Sequence, residues 1–169
     1  MGLIGLYEQN DLRKQIFFRP NTGQNLGTFS FRGSFNGNEQ PFGVFTGTTT
    51  AEILLIRAEC YARGGNKSEA ISDLNTLLEK RYNKLGWLPL NPSLINNPLE
   101  VILTERRKEL VFRGIRWQDL RRLNAEGANI TIKRTLDGTD YLLPANDKRW
   151  VALIPFDVIN RSGIQQNIR

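Results

Sequence analysis

The segment from Leu110 to Leu123 reads Leu-Val-Phe-Arg-Gly-Ile-Arg-Trp-Gln-Asp-Leu-Arg-Arg-Leu and decides how the rest of the chain is interpreted. It follows the densely charged run Thr-Glu-Arg-Arg-Lys-Glu at 104–109. We therefore expect a charged helix that breaks or kinks at Gly114. Beyond the glycine, an apolar face should continue through Trp117, which we assign to the core.

The start of this helix is marked by three residues. Asn97 stands at the cap position, Pro98 at the first helical position and Glu100 at the third. Apolar residues then recur at helical spacing. The sequence predicts a helix from about Pro98 to Phe112.

A helical hairpin is predicted upstream, from about Thr50 to Arg81. Thr49 with Glu52 reads as a capping box, and Asn66 with Glu69 reads as a second one. Gly64 and Gly65 separate the two helices. The small Ala58 and Ala70 should lie where the helices cross, with Tyr61 in the groove. We expect a hairpin of tetratricopeptide type with an apolar patch on its outer side, because single repeats bury their faces against neighbours.

The two ends of the chain differ from this helical middle. Residues 21–50 are rich in glycine, asparagine, threonine and phenylalanine, which favours loops or extended chain. Their phenylalanines are Phe29, Phe31, Phe35, Phe42 and Phe45. Asn36, Asn38 and Glu39 lack calcium-loop spacing and favour a turn. Asp137-Gly138 predicts a turn between short strands, and residues 150–155 an extended run. The fold class expected is mainly α, with long irregular loops and short β segments.

Composition narrows the function classes. The chain has 169 residues, 40% of them hydrophobic, which suffices for one core. It has no histidine, which excludes Ser-His and Cys-His catalysis, and its single cysteine, Cys60, forms no internal disulfide. The net charge of +6 invites a nucleic-acid hypothesis, but acidic and basic residues are interleaved. Residues 1–12 show neither a signal peptide nor a membrane span. We expect no catalytic residue, metal site or cofactor.

Several motifs together resemble the RagB/SusD family. The charged helix and the segment after it match the family pattern at Glu105, Arg106, Arg107, Glu109, Leu110, Gly114, Arg116, Trp117, Asp119, Leu120 and Arg121. The Ile-Arg-Ala-Glu at 56–59, the Ile-Pro at 154–155 and the Gln-Asn at 166–167 match further family motifs. The chain departs from the pattern at Arg113, where the family has an acidic residue. It departs again at Ile168-Arg169, where the family often has Pro-Gly-Tyr.

The resemblance implies both a fold and a function. RagB/SusD proteins are surface lipoproteins of the outer membrane that bind glycans or other nutrients and partner a SusC-like TonB-dependent transporter. The chain is similar to the C-terminal part of such a protein, whose leader and anchoring cysteine lie upstream. We expect a single SusD-like region over 1–169. It would comprise a loop-rich lead-in at 1–48, a helical repeat region at 49–124 and a tail at 125–169.

Two sets of residues are candidates for specific roles. Glu105 and Glu109 share one helix face. A glycosidase would need two such carboxyl groups placed across a sugar, but arginines nearby favour buried ion pairs. We predict structural ion pairs at Arg57, Glu59, Glu105, Arg106 and Glu109. At least one of Arg57 and Glu59 should pair with the helix that starts at Pro98. Removing one partner of such a pair would cost roughly 3–5 kcal/mol.

The second set consists of aromatic side chains that could stack on sugar rings. The candidates are Trp87, Tyr82, Tyr141 and Trp150. Trp87 is the first choice because Gly86 and Pro89 place it in a turn. The leading hypothesis is non-enzymatic glycan or nutrient binding at the cell surface. A helical-repeat scaffold for protein partners is the alternative, and a basic nucleic-acid-binding module is a weaker one. Self-association of the chain is a further expectation.

Overall fold

The computed structural model describes residues 2–33 and 47–169, in which helix predominates and the strands are short. The helices are α1 (Leu12–Phe17), α2 (Thr50–Arg63), α3 (Lys67–Leu78), α4 (Pro98–Glu109), α5 (Arg116–Ala125) and α6 (Phe156–Ser162). The strands are β1 (Phe18–Pro20), β2 (Phe29–Phe31), β3 (Ile132–Leu136) and β4 (Thr139–Leu143). Short 3-10 helices lie at Leu3–Leu6, Gly23–Asn25, Pro92–Leu94 and Lys148–Trp150. The mainly α class is confirmed.

The chain divides into two compact units, Met1–Gly114 and Ile115–Arg169. Each is described by itself below. The first unit contains α1 to α4 with β1 and β2, and the second contains α5, β3, β4 and α6. The expected subdivision at 48 and 124 is a different partition and stays a prediction.

The predicted hairpin forms, but only its first cap is built as expected. The Thr49 hydroxyl accepts a hydrogen bond from the Glu52 backbone N–H at 3.2 Å, which satisfies one free donor of the first turn of α2. Asn66 makes no such side-chain bond at the start of α3, so the second predicted capping box is wrong. The chain instead reverses through Gly65, whose φ of +80° suits a residue without Cβ.

The core of the first unit lies where α2 packs against both α3 and α4. Ala58 on α2 and Ala70 on α3 are both 0% exposed. Their small side chains allow the helix backbones to approach closely. Larger apolar side chains fill the remaining space, namely Leu55, Ile71, Leu74, Leu77, Leu78 and Ile102.

Helix α4 begins as predicted and ends earlier than predicted. The Asn97 side chain accepts from the Glu100 N–H at 3.2 Å, and Pro98 occupies the first turn. The helix stops at Glu109 because Phe112 adopts a left-handed backbone with φ 58°. Its ring stacks on Phe31 at 4.4 Å between centroids. Gly114, with φ 76°, completes the break.

The lead-in segment attaches to the first unit through aromatic packing. Strand β1 pairs antiparallel with β2, which sets Phe18 opposite Phe31. The Phe18 ring meets the rings of Tyr7 at 5.5 Å and Phe31 at 6.0 Å, both edge-to-face. Phe29, by contrast, is 38% exposed. The remaining predicted loop residues, Phe35, Asn36, Asn38, Glu39, Phe42 and Phe45, lie outside the described residues.

The second unit contains the predicted β-hairpin. Strands β3 and β4 pair antiparallel from Leu136 opposite Thr139 outward. Asp137 and Gly138 both have positive φ, 48° and 75°, which two-residue turns with the twist of a hairpin require. The Asp-Gly dipeptide thus fixes the register.

The tail is more helical than predicted. Of the predicted extended run at 150–155, Trp150 ends a 3-10 helix and residues 151–155 form neither helix nor strand. Helix α6, which was not predicted, follows. The Gln166 side chain binds both backbone polar groups of Ile154. It accepts a hydrogen bond from the N–H at 2.8 Å and donates one to the carbonyl at 3.0 Å. The Ile-Pro and Gln-Asn motifs of the sequence therefore meet in one contact.

Candidate ligand-binding groove and buried charge cluster

An open groove of about 450 Å³ runs along the exposed side of α3 in the first unit. One wall is the helix itself, whose polar residues follow one another at helical spacing, and the other wall is the loop that carries Trp87. The lining residues are Ser68, Ser72, Asn75, Thr76, Glu79, Trp87 and Pro92. Each helical member differs from a neighbour by three, four or seven positions, so they share one face of α3.

Hydrogen bonds at both ends hold the Trp87 loop beside α3. Asn75 donates to the Leu90 carbonyl at 3.0 Å and accepts from the Leu90 N–H at 2.8 Å. At the other end, Asn10 donates to the Gly86 carbonyl at 3.1 Å. Trp87 is half-buried between these anchors, so one part of its ring packs and another part faces the groove. The loop is thereby fixed before any ligand binds.

The chemistry of the groove suits a polyhydroxylated ring. An aromatic face offers apolar area at low entropic cost. The hydroxyls of Ser68 and Ser72 can donate and accept, and the exposed carboxylate of Glu79 accepts. An apolar plate beside a few convergent polar groups is typical of small-ligand sites. Stacking on an aromatic face and hydrogen bonds to hydroxyl groups are therefore the interactions that the groove offers.

A second feature of the first unit is a buried charge cluster centred on Arg13. The Arg13 side chain is 1% exposed and bonds to Asp11 at 2.8 Å, Glu105 at 2.6 Å and Glu109 at 3.2 Å. The Lys108 ammonium bonds to Glu105 at 2.7 Å and to Asp11 at 3.0 Å. Arg81 completes the cluster with a 2.7 Å bond to Glu109. Three carboxylates thus meet three cations, so the cluster is neutral.

Two tyrosines line this cluster. The Tyr7 hydroxyl donates to the Lys108 carbonyl at 2.8 Å, and the Tyr82 hydroxyl accepts from the Lys108 ammonium at 3.2 Å. Burial raises the pKa of both phenols. Their rings also lie 5.6 Å from the Lys108 nitrogen, which adds cation–π attraction.

The pKa shifts in the cluster follow from burial opposed by charge. Burial alone would raise the pKa of Asp11, but the hydrogen bonds and charges of Arg13 and Lys108 outweigh it and lower that pKa. Burial alone would lower the pKa of Lys108, but Glu105 and Asp11 raise it. Both groups are therefore held in their charged forms, which makes the cluster a structural tie between α1, α4 and the end of the hairpin.

The residues predicted to form ion pairs lie in several environments. Glu105 and Glu109 belong to the charge cluster, and Arg106 is buried on the same helix. Glu59 is buried and pairs with Arg63 one turn further along α2 at 2.8 Å. For Glu59, pairing with α4 stays a prediction.

The expectation for Arg57 needs correction. Its guanidinium binds both carboxylate oxygens of Asp73 at 2.7 Å, so its partner is on α3 and not on α4. Its side chain is 57% exposed. The large stability loss expected on removing Arg57 therefore does not apply, because solvent screens an exposed pair.

Two of the four aromatic candidates are buried side chains. Tyr82 is 7% exposed, beneath the charge cluster. Trp150 is 5% exposed, and its indole N–H donates to the Pro144 carbonyl at 2.6 Å. Trp117, expected in the core, is 40% exposed and packs on Trp150 at 4.6 Å between centroids. Tyr141 is exposed on β4, in the second unit.

Sequence reasoning missed two features: the helical wall of the groove, and the buried ion pair between Asp11 and Arg13. The wall carried a detectable signal, since its serines, amide, threonine and glutamate repeat at helical spacing. The cluster carried none, because Arg13 and Glu105 are 92 positions apart. Throughout 2–33 and 47–169, no group of three or more metal-binding side chains occurs that is arranged to hold an ion. Within the same residues, no helix is both long and apolar enough to cross a bilayer.

The protein is thus mainly helical, and its first unit combines a helical hairpin, a polar groove and a buried charge cluster. Comparison with known proteins places it further: the model of the SusD family matches residues 35–152. The chain belongs to the SusD family. The motif at 105–121 that suggested this assignment lies inside the matched range.

The relatives show how much of a longer protein the chain resembles. It is 39% identical over 79 residues to SusD-like protein P38 of Formosa agariphila, covering 44% of this chain and 16% of that one. To SusD-like protein P2 of the same organism it is 39% identical over 105 residues, covering 56% of this chain and 21% of the relative. The chain therefore matches less than a quarter of either relative's length.

A solved structure supports the fold. The crystal structure of a SusD-like carbohydrate binding protein from Bacteroides vulgatus superposes with a TM-score of 0.56 at 22% identity. The match covers 95% of this chain and 39% of that one. At this identity, the likeness concerns the fold alone.

Proposed function

We propose that the chain is part of a non-enzymatic protein that binds glycans or related nutrients at the cell surface. The observation that carries the proposal is the groove in which Trp87 faces the polar side of α3. The similar protein from Bacteroides vulgatus is a carbohydrate binding protein, which agrees with the proposal. Stacking on Trp87 would fix the plane of the sugar ring. The serine hydroxyls and Glu79 would form hydrogen bonds with the hydroxyl groups of the sugar.

The positions of the carboxylates support binding without cleavage. Glycosidases place two carboxyl groups across the scissile bond. The paired Glu105 and Glu109 are 7% and 9% exposed and are bonded to Arg13, Lys108 and Arg81. The groove described here has one carboxylate, Glu79, along its wall. One carboxylate can accept a hydrogen bond, but it cannot supply both the acid and the base.

We further propose the cellular setting that family membership suggests. The whole protein would be a lipoprotein exposed on the outer membrane, and it would deliver its ligand to a SusC-like TonB-dependent transporter. A tagged full-length protein isolated from membranes should carry such a transporter as a stoichiometric partner, identified by mass spectrometry. Isolation without any transporter would contradict the delivery step and leave glycan binding standing.

A protein-interaction role is a second candidate, supported by the outer face of α2. Ile53 and Ile56 are 51% and 42% exposed and are one helical turn apart, with the exposed Cys60 another turn further on. Such a stripe of apolar side chains favours contact with another protein surface. This role is compatible with glycan binding, because the stripe is on α2 and the groove is on α3.

The glycan proposal is tested by an oligosaccharide array followed by product analysis. The chain should bind a subset of oligosaccharides, and mass spectrometry of the bound fraction should recover them intact. Release of shorter products would contradict the non-enzymatic role. Absence of binding to every oligosaccharide would contradict the assignment of the groove.

A further inference from the structure

A second depression of about 510 Å³ adjoins the Trp87 groove at the end of α3. The two share Glu79, which lines both of them. The lining of the second depression consists of Leu12, Glu79, Lys80, Tyr82, Asn83 and Lys84. From Ser68 to Glu79 the helix direction covers about 16 Å at 1.5 Å per residue, so the combined surface is longer than one sugar ring.

The second depression differs from the first in charge. Lys80 pairs with Glu79 at 3.2 Å, and both side chains are largely exposed, which leaves this pair close to neutral. Lys84 is exposed, and in the described part of the chain no carboxylate pairs with it. The depression therefore has a surplus of one positive charge beside the Trp87 groove.

Its hydrogen-bonding groups are mainly donors. The Asn83 side-chain oxygen already accepts from the Leu85 N–H at 3.1 Å, which leaves the NH₂ of that amide as a donor. The two ammonium groups are donors only. Apolar side chains, Leu12 and the ring edge of Tyr82, supply the rest of the lining. A site of donors with surplus positive charge is complementary to an anionic acceptor such as a carboxylate or a sulfate ester.

We propose that the groove selects acidic oligosaccharides. One ring stacks on Trp87, and the carboxylate or sulfate of an adjoining sugar binds Lys84. This inference rests on the proposed glycan binding and adds the class of glycan. A neutral glycan would leave the Lys84 ammonium without a counter-charge, whereas an acidic one supplies it.

The test uses matched pairs of probes that differ only in charge. Oligogalacturonides are compared with their methyl esters, and carrageenan oligosaccharides with the same chains after desulfation. The two pairs distinguish a carboxylate-binding from a sulfate-binding site. The acidic member of at least one pair should bind more tightly, by about three- to fivefold for each exposed charge contact. The difference should shrink as the salt concentration rises.

Variants of exposed lysines provide the matched controls. Lys84→Ala should weaken binding of the acidic probe by about three- to fivefold and should leave the uncharged probe unaffected. Lys148→Ala removes the same charge from the second unit and should bind like the wild type. Both lysines are exposed, so folding is expected to survive in each variant.

The outcomes separate this inference from the proposed function. Equal binding of charged and uncharged probes, or an unchanged affinity in Lys84→Ala, would overturn the acidic-glycan inference and leave glycan binding standing. Failure to bind any oligosaccharide would overturn both. A single-stranded oligonucleotide included as a polyanion should bind more weakly than the acidic oligosaccharide. Tighter binding of the oligonucleotide would overturn the inference in favour of nucleic-acid binding.

Discussion

Replacing Arg13 by methionine should strongly destabilise the first unit. The Arg13 side chain is 1% exposed and forms ion pairs with the carboxylates of Asp11, Glu105 and Glu109. Methionine approximates its apolar stem but leaves those three acids with two cations, Lys108 and Arg81. Removal of one partner from a buried ion pair typically costs about 3–5 kcal/mol. A loss of that size is a large part of the stability of an ordinary domain, about 5–15 kcal/mol.

Equilibrium unfolding in urea, followed by far-ultraviolet circular dichroism of the helices, measures this loss. The matched control is Arg57→Met. Arg57 also binds both oxygens of one carboxylate, that of Asp73, but its side chain is 57% exposed. The control should change the unfolding midpoint much less than Arg13→Met. If Arg13→Met unfolded within about 0.5 kcal/mol of the wild type, as a surface change would, the structural role of the cluster would be refuted.

Three further outcomes are expected. The free energy of unfolding should decline as the pH falls below about 4, because the folded pKa of Asp11 lies below its ordinary 3.8. It should decline again as the pH rises above about 10.5, because the folded pKa of Lys108 lies above that ordinary value. Denaturation curves across pH measure both slopes, and an Asp11→Asn variant that kept the full acid slope would contradict the assignment. Ile53→Glu should reduce self-association in sedimentation and binding of an apolar dye, and no change in either would argue against an exposed contact surface. Gln166→Ala should lower the free energy of unfolding by about 1–2 kcal/mol and speed amide hydrogen exchange at Ile154. Equal exchange rates in the variant and the wild type would contradict a stabilising role for the Gln166 hydrogen bonds to Ile154.

Sequence reasoning succeeded where the determinants are local. Thr49 and Asn97 cap their helices through residues three positions away, and Asp137-Gly138 sets a two-residue turn. The same local reasoning missed α6, a helix of seven residues whose start lacks a side-chain cap. It also predicted a side-chain cap at Asn66, which occupies the N-cap position of α3 but makes no capping hydrogen bond. Short helices and weak caps depend on tertiary contacts more than on propensity.

The site was harder to predict because exposure is a tertiary property. Tyr82 and Trp150 became candidates on the same ground as Trp87, since each is an aromatic residue outside the predicted helices. Tyr82 is buried because Asp11, which pairs with it across an isolated β-bridge, brings the charge cluster over its ring. The partners of that cluster come from positions far apart in the chain, so no spacing in the sequence announces them. The Trp87 loop was found because its turn residues are adjacent to it.

Calorimetric titration of Trp87→Ala tests the central proposal most directly. The titrant is an oligosaccharide bound by the wild-type chain, and Tyr141→Ala serves as the comparison because it removes an exposed aromatic ring from the second unit. We predict that Trp87→Ala weakens binding about fivefold or more, since stacking contributes on the order of 1 kcal/mol beyond the area buried, while the unfolding midpoint stays close to that of the wild type. An unchanged affinity in Trp87→Ala, with the loss appearing in Tyr141→Ala instead, would contradict the assignment of the groove on α3 as the glycan site.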